Sequence, residues 1–242
     1  MRGLRRDRLD GAAARGSGRR EVAHMSLEVL IVGSAPVPGA DDFYERLLTD
    51  ASYVIACDAA AEWCIALGRV PDIAVGDFDS AAAGAPERLL AAGVDVRLFP
   101  AEKDESDLDL ALAVARSLSQ PRVVLTAAYS ERLDHTLAAL GTASAAADLA
   151  ARIEEPTFSA TVLSARGISS TVIDITPGAT VSVMALEASH GVTLVGMRYP
   201  LENASVPILS SLGISNIALE PRVRVSLAEG TLLVIASRSA DV

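Results

Sequence analysis

Cysteine is scarce in this chain: among 242 residues there are two, Cys57 and Cys64. Two cysteines cannot build a disulfide scaffold, and their spacing matches neither a CxxC redox pair nor a zinc knuckle. Both lie beside a predicted helix that also holds Trp63, so we expect them to pack in the core. This cysteine usage favours a reducing compartment, and we expect a cytoplasmic protein.

Basic charge is also in short supply. Lys and Arg number 21 against 31 acidic residues, which gives a net charge of -10. Nucleic acid is therefore a poor candidate partner, because a duplex-binding surface would have to oppose the overall field. Residues 1–24 hold seven Arg and three acidic residues, and the remaining body has 14 basic and 28 acidic residues, or -14. We expect a strongly acidic folded part.

The head of the chain, residues 1–24, has little apolar content and lacks the apolar stretch of a secretory signal. We expect a disordered leader, or a start-site or cloning artefact; an Arg-rich targeting arm is the alternative. The sequence also lacks any run of about 18 apolar residues, so no membrane-spanning helix is predicted. Apolar residues still make up 50% of the chain, which excludes disorder and suffices for one large or two small domains.

Short apolar runs alternate with Ala- and Leu-rich segments of helical length as far as residue 163. Runs that are apolar throughout are typical of parallel strands covered on both faces by helices. The predicted strands are 29–32, 53–56, 73–75, 94–98, 123–127 and 160–163. The predicted helices are 40–48, 59–67, 86–92, 107–118 and 133–151. We therefore predict an α/β domain with a mostly parallel sheet over residues 25–165.

After about residue 166 the pattern changes to alternating, β-branched segments separated by Gly and Pro. The predicted strands are 170–175, 180–186, 192–197, 223–227 and 231–236. Because no segment with helical periodicity interrupts them, residues 166–242 predict a smaller all-β domain, an antiparallel sandwich or barrel.

Acidic residues follow several of the predicted parallel strands, where open sheets bind their ligands. They include Asp58, Asp77, Asp79, Asp104 and Asp107. Carboxylates gathered at one sheet edge repel one another unless a cation neutralises them, so the last four predict a Mg²⁺ site. The alternative is that these residues cap the helices that follow.

Two basic side chains lie beside these acids: Lys103, the single lysine of the chain, and Arg132. Both are candidates for phosphate contact, with pairing to neighbouring carboxylates as the alternative. Asp134 and His135 follow, and the histidine is a candidate for catalysis or a helix-start residue. The sequence has no Walker motif, no GxGxxG and no serine nucleophile elbow. Acids, a metal and two cations at a sheet edge suit transfer of a phosphate-type group.

Ordered segments of the sequence also carry a family resemblance. Asp58 is followed by PDIAVGDFDS at 71–80, KDESDLDLAL at 103–112 and RLDH at 132–135. Further along come GMRYPL at 196–201, GISN at 213–216 and GTLLVI at 230–235. In order and spacing these segments resemble the thiamine pyrophosphokinase (thiamine diphosphokinase) family, over about residues 27 to 237.

The resemblance implies an N-terminal domain that binds ATP and Mg²⁺, a C-terminal sandwich that binds thiamine, and a homodimer with thiamine sites between subunits. The implied reaction converts ATP and thiamine into thiamine diphosphate and AMP. The implied Mg²⁺ ligands are Asp77, Asp79, Asp104 and Asp107. The implied phosphate contacts are Lys103 and Arg132, and the residues implied at the nucleotide or reaction centre are Asp58, Asp134 and His135. The residues implied at thiamine are Ser215 and Asn216.

Five positions depart from the family's pattern. Ala59 and Ala60 stand for a Gly pair, Glu131 for a Gly, Ala139 for an Asn and Ile217 for an acidic residue. Two alternatives therefore stay open. One is a related Mg²⁺-dependent transferase acting on another small alcohol, such as a pterin or a sugar. The other is a non-catalytic protein that binds thiamine or nucleotide.

Overall fold

The computed structural model describes residues 27–79, 81–119 and 121–238. The leader predicted for residues 1–24 lies outside these ranges. Within them, none of the helices is both long enough and apolar enough to span a membrane.

Six strands of the N-terminal half lie parallel to one another in a single sheet. They are β1 (Leu27–Val32), β2 (Tyr53–Cys57), β3 (Ile73–Gly76), β4 (Asp95–Leu98), β5 (Pro121–Thr126) and β6 (Arg152–Glu155). Their spatial order is β6-β5-β1-β2-β3-β4. The first strand is therefore central, with β2 to β4 added on one side of it and β5 and β6 on the other. All six carboxyl ends therefore meet at one edge of the sheet.

Five helices cover the two faces of this parallel part. They are α1 (Asp41–Asp50), α2 (Ala60–Ala66), α3 (Ala85–Ala91), α4 (Asp107–Arg116) and α5 (Leu133–Ala145). Successive strand residues point to opposite faces. In β1, Val29 and Ile31 pack toward α4 and α5, whereas Leu30 and Val32 pack toward α1, α2 and α3. Burial on both faces explains why these strands are apolar throughout.

Strand β6 was missed from the sequence, because a helix was predicted as far as residue 151. The helix ends at Ala145, and a 3-10 turn at Ala147–Leu149 leads into β6. Ala150, between this turn and β6, is in the left-handed conformation with φ 53°. The apolar pattern did not predict β6 because one of its two buried residues is a carboxylate, Glu155.

Four antiparallel strands extend the same sheet beyond β6. They are β7 (Phe158–Ser164), β9 (Thr180–Ala185), β12 (Asn216–Ile217) and β14 (Thr231–Ser237). The remaining strands form a separate antiparallel sheet: β8 (Ser170–Asp174), β10 (Ser189–Val195), β11 (Leu201–Val206) and β13 (Arg222–Ser226). Side chains such as Val183 and Leu232 from the first sheet pack against Leu194 and Val225 from the second. This is a sandwich.

The predicted fold class, a mostly parallel α/β part followed by a smaller all-β sandwich, is confirmed. The ten-stranded sheet continues across residues 165 and 166, because β7 and β14 are neighbours within it. The predicted domain boundary between residues 165 and 166 therefore stays a prediction.

Two glycines with the same backbone conformation differ in what surrounds them. Gly178 and Gly230 both have φ +95°. A Cβ at Gly178 would have no atom within 4 Å, whereas a Cβ at Gly230 would stand 2.6 Å from the Ala188 carbonyl oxygen. We expect Gly230→Ala to lower the free energy of unfolding by about 2–4 kcal/mol, through backbone strain plus overlap. Gly178→Ala is the matched control and should cost about 1 kcal/mol from strain alone. Chemical denaturation of both variants measures the difference, and equal losses would contradict this account.

Candidate active site

A cleft of about 750 Å³ opens at the carboxyl edge of the parallel sheet. Its walls come from the loops after β1, β2, β3, β4 and β5, together with the first residues of α4 and α5. Of the residues implicated by the sequence, it is lined by Asp58, Asp77, Asp79, Lys103, Asp107, Arg132 and His135. Asp104 and Asp134 are not part of its lining.

Three of the carboxylates that line the cleft converge. Asp58, Asp77 and Asp79 each offer an oxygen, and the three oxygens lie within 4.8 Å of one another. Asp58 is 7% exposed and sits in the left-handed region with φ 47°, and its Oδ1 accepts the Phe78 N–H at 2.9 Å. Gly76 permits this contact, since a Cβ there would stand 1.9 Å from Asp58 Oδ1.

The protonation of these carboxylates follows from their surroundings. Burial, and then the neighbouring Asp107 carboxyl, raise the pKa of Asp58 to about 7. The pKa of Asp77 is lowered, first by the Asp79 backbone N–H, which donates to Asp77 Oδ1 at 3.1 Å, and also by Lys103. The cluster therefore has one carboxyl that resists ionisation beside one that holds its charge.

Lys103 is the cation nearest to this cluster. Its Nζ lies 3.0 Å from Asp107 Oδ1 and 3.7 Å from Asp77 Oδ2, with the lysine side chain 13% exposed. The approach to Asp107 is close but poorly aligned, so this buried Oδ1 accepts no hydrogen bond from the described residues. An orphaned carboxylate oxygen beside three converging carboxylates fits a hard cation such as Mg²⁺, which prefers oxygen ligands.

The start of α4 is fixed by a capping box. The Ser106 hydroxyl accepts the Asp109 N–H at 3.2 Å, and Asp109 Oδ2 accepts the Ser106 N–H at 3.2 Å. The other oxygen of Asp109 accepts the Thr142 hydroxyl of α5 at 2.6 Å. Asp109 was not assigned a role from the sequence, although its position three residues after Ser106 is a capping-box signal. It joins the two helices that flank the cleft.

Arg132 forms an ion pair with Asp134, with Nη2 and Oδ2 2.6 Å apart. Both side chains are about two-thirds exposed, at 67% and 65%, so this pair contributes little to stability. Arg132 and His135 line the cleft at the start of α5, whereas Asp134 pairs with Arg132 without being part of the lining.

The two residues expected at thiamine lie outside this cleft. Asn216 is 1% exposed, and its side-chain amide bonds both backbone groups of Tyr199, at 2.9 and 2.7 Å. Ser215 has φ 52°, and its N–H donates to the Ser182 hydroxyl at 2.9 Å. Asn216 therefore holds the turn at Tyr199, whose ring is exposed.

Four of the five departures from the family's pattern lie in or at the start of a helix or strand, and the fifth, Glu131, is exposed just before α5. Ala59 is in the ordinary right-handed helical region at the start of α2, and Ala60 is buried at 4% exposure. A methyl group therefore causes no backbone strain at Ala59. Ala139 is buried on α5 at 4% exposure, and Ile217 lies in β12.

Comparison with known proteins agrees with this arrangement. A family model for the thiamin pyrophosphokinase catalytic domain matches residues 44–154, and one for the thiamin pyrophosphokinase vitamin B1 binding domain matches residues 170–232. The chain belongs to the thiamin pyrophosphokinase family. The resemblance inferred from the sequence is thereby confirmed, and the catalytic-domain match covers Asp58, Lys103 and the rest of the cleft's carboxylates.

Relatives of this thiamin pyrophosphokinase family member are known in sequence and in structure. Thiamine pyrophosphokinase of Bacillus subtilis (strain 168) is 28% identical over 185 residues, covering 76% of this chain and 86% of the relative. Its crystal structure superposes with a TM-score of 0.73 at 25% identity, covering 88% of this chain and 100% of that one. Thiamin pyrophosphokinase from Geobacillus thermodenitrificans gives a TM-score of 0.72 at 27% identity, covering 89% and 99%.

The role of Asp109 is testable by Asp109→Asn. We expect the free energy of unfolding to fall by about 1–2 kcal/mol, because the amide weakens both the capping box and the bond to Thr142. Asp42→Asn, in the exposed first turn of α1, is the control and should change stability by about 0.5 kcal/mol or less. Urea denaturation followed by circular dichroism measures both, and equal effects would refute the proposed link between α4 and α5.

Proposed function

We propose that this chain transfers pyrophosphate from ATP to the hydroxyl of thiamine, giving thiamine diphosphate and AMP. The observation that carries the proposal is the cluster of Asp58, Asp77 and Asp79 with Lys103, in a chain that matches both the catalytic and the vitamin B1 binding models. Mg²⁺ and ATP are part of the proposal, since the carboxylates suit a cation and the lysine suits phosphate.

In this proposal Asp77 and Asp79 are the principal Mg²⁺ ligands, with Asp58 completing the three converging oxygens. Asp107 contributes its orphaned buried oxygen from the side of Lys103. Asp104 was predicted as a fourth ligand, and that role stays a prediction because the residue is not part of the cleft's lining. Bound Mg²⁺ would neutralise charge on the triphosphate and on the departing AMP.

The basic residues bind and orient the phosphates. Lys103 already lies between two carboxylates, so its ammonium can hold a phosphate oxygen next to the cluster. Arg132 can reach phosphate from the rim of the cleft by exchanging its exposed pairing with Asp134, which costs little in water. His135 is then positioned to contact the nucleotide. Asp134 orients the Arg132 guanidinium until phosphate replaces it as the partner.

The reaction is an in-line displacement. The primary hydroxyl of thiamine attacks the β-phosphorus and releases its proton to solvent, the bond from the β-phosphorus to the bridging oxygen of the α-phosphate breaks, and AMP leaves with that oxygen. Because little covalent work falls to the protein, its contribution is alignment of the two substrates and neutralisation of charge. A strongly acidic body also attracts the cationic thiamine.

Thiamine would be bound by the sandwich, in a homodimer whose sites lie between subunits. Supporting this, six large apolar side chains within the segment 199–219, which includes Ser215 and Asn216, are exposed; they are Tyr199, Ile208, Leu209, Leu212, Ile214 and Leu219. Such a cluster is typical of a surface that a second copy covers. A cytoplasmic location is supported by the two buried free thiols, Cys57 and Cys64.

The test is an assay of purified protein with thiamine, ATP and Mg²⁺, in which chromatography separates AMP from ADP. We expect AMP and thiamine diphosphate in equal amounts. Asp77→Asn should lower turnover by about 100-fold or more. The unfolding midpoint should stay near that of the parent, because the amide keeps an oxygen for the Asp79 N–H and the lost attraction to Lys103 is offset by less repulsion from the neighbouring acids. Asp95→Asn, an exposed acid paired with Arg97 on β4, is the control and should keep full activity.

Other outcomes of this assay would contradict the proposal. ADP would indicate a simple kinase. Turnover with a different alcohol but not with thiamine would indicate a related transferase, and binding without turnover would indicate a non-catalytic protein. Marked unfolding of Asp77→Asn would assign that residue a structural role.

The homodimer has its own test. Leu209 is 67% exposed with φ 51°, a conformation that aspartate tolerates better than leucine. We expect light scattering to give twice the 25.1 kDa chain mass for the parent protein and the monomer mass for Leu209→Asp. Leu90→Asp, at a comparably exposed position on α3, should remain dimeric. A monomeric parent protein at micromolar concentration would rule out a stable homodimer.

A further inference from the structure

A buried carboxylate lies directly behind the cleft without being part of its lining. Glu155 ends β6 and is 1% exposed. Its Oε1 accepts the backbone N–H groups of Ala128 and Tyr129, at 3.0 and 3.4 Å, and its Oε2 accepts the Tyr44 hydroxyl at 3.2 Å. The carboxylate therefore holds the first residues of the loop after β5.

Tyr44 carries the connection to a second loop. Its hydroxyl oxygen accepts the Val37 N–H at 2.9 Å, in the loop after β1. The ring is 1% exposed and meets Trp63 edge to face, with centroids 5.0 Å apart. Because the ring cannot move freely, Glu155 and Tyr44 together tie the loop after β1 to the loop after β5.

These two loops form one wall of the cleft and touch each other through their backbones. The Gly33 N–H donates to the Thr126 carbonyl and the Ala35 N–H donates to the Ala127 carbonyl, both at 2.9 Å. A Cβ at Gly33 would stand 2.5 Å from the Ala127 oxygen, and Ala127 itself has φ 50°. The wall is thus a close, conformationally strained contact that needs outside support.

Glu155 differs from the preceding glutamate in how its charge is compensated. Its neighbour Glu154 pairs with Arg152 and Arg238, whereas none of the ion pairs in the described chain involves Glu155. Burial raises the pKa of Glu155, since the charged form loses its hydration. Burying this carboxylate costs free energy, which its three hydrogen-bond donors offset. Two of the donors are backbone groups of the loop after β5, and the third, the Tyr44 hydroxyl, contacts the loop after β1.

From these contacts we infer that Glu155 is a positioning residue for the nucleotide: through Ala128, Tyr129 and Tyr44 it fixes the backbone wall against which ATP binds. The inference rests on the proposed function, because it takes ATP as the ligand of the cleft. It concerns nucleotide affinity, and it leaves thiamine binding and the metal cluster unaffected.

The experiment compares Glu155→Leu, Glu155→Gln and Tyr44→Phe with the parent protein, measuring Kd for Mg²⁺-ATP and for thiamine by calorimetry, and both KM values. We expect Glu155→Leu to weaken nucleotide binding on the order of tenfold, with thiamine affinity unchanged within about twofold. Glu155→Gln keeps an oxygen for the two N–H groups and should restore most of the affinity. Tyr44→Phe removes one hydroxyl, and should weaken nucleotide binding several-fold while remaining folded.

Thr231→Val is the matched control. Thr231 is 0% exposed, bonds Ser164 and Glu187, and lies at the opposite end of β7 from the cleft. It should lose thermal stability without losing nucleotide affinity. The inference is overturned if Glu155→Leu or, should that variant not fold, Tyr44→Phe binds Mg²⁺-ATP as the parent does. It is also overturned if Thr231→Val weakens binding as much as these variants do. Failure of the parent protein to bind Mg²⁺-ATP would overturn the proposed function, and this inference with it.

Discussion

Electrostatic repulsion among carboxylates at one edge of a parallel sheet is the constraint on which this structure depends. Parallel strands bring their carboxyl ends together, so Asp58 from the loop after β2 meets Asp77 and Asp79 from the loop after β3. The protein relieves the repulsion in two ways. Asp58 is buried with a pKa of about 7, and Lys103 lies between Asp77 and Asp107. What repulsion remains favours a bound cation, so the same arrangement explains the acids, the lysine and the proposed chemistry.

The rest of the cleft is built from backbone held in place by side chains that do not face the substrate. Asp109 fixes the start of α4 and links it to α5. Glu155 supports the loops after β1 and β5 from behind. Both are carboxylates that accept several hydrogen bonds each, and both place their acceptor oxygens where neighbouring elements leave N–H or O–H groups without partners. The rigidity of the cleft therefore comes from polar contacts behind it as well as from the apolar core.

The two parts of the chain share a sheet, and this has a structural consequence. Because β14 inserts between β7 and β9, the last strand of the chain is bonded on both sides within the sheet that begins at β1. The sandwich core and the α/β core are thus joined through continuous backbone hydrogen bonding. The exposed apolar cluster around Leu209 and Leu212 lies on the sandwich, where a second copy would add its own surface.

The sequence alone determined the α/β part, the sandwich, the family and the main carboxylates, because each leaves a local signal: apolar runs, alternation, and acids directly after strands. The tertiary structure decided which carboxylates meet. It joined Asp58 to Asp77 and Asp79 and left Asp104 outside the cleft's lining, since convergence depends on loop paths rather than on spacing. It also revealed Asn216 as a support for Tyr199, and Glu155 as a support for the cleft. A buried polar residue is defined by its partners, and those partners lie far away in the chain.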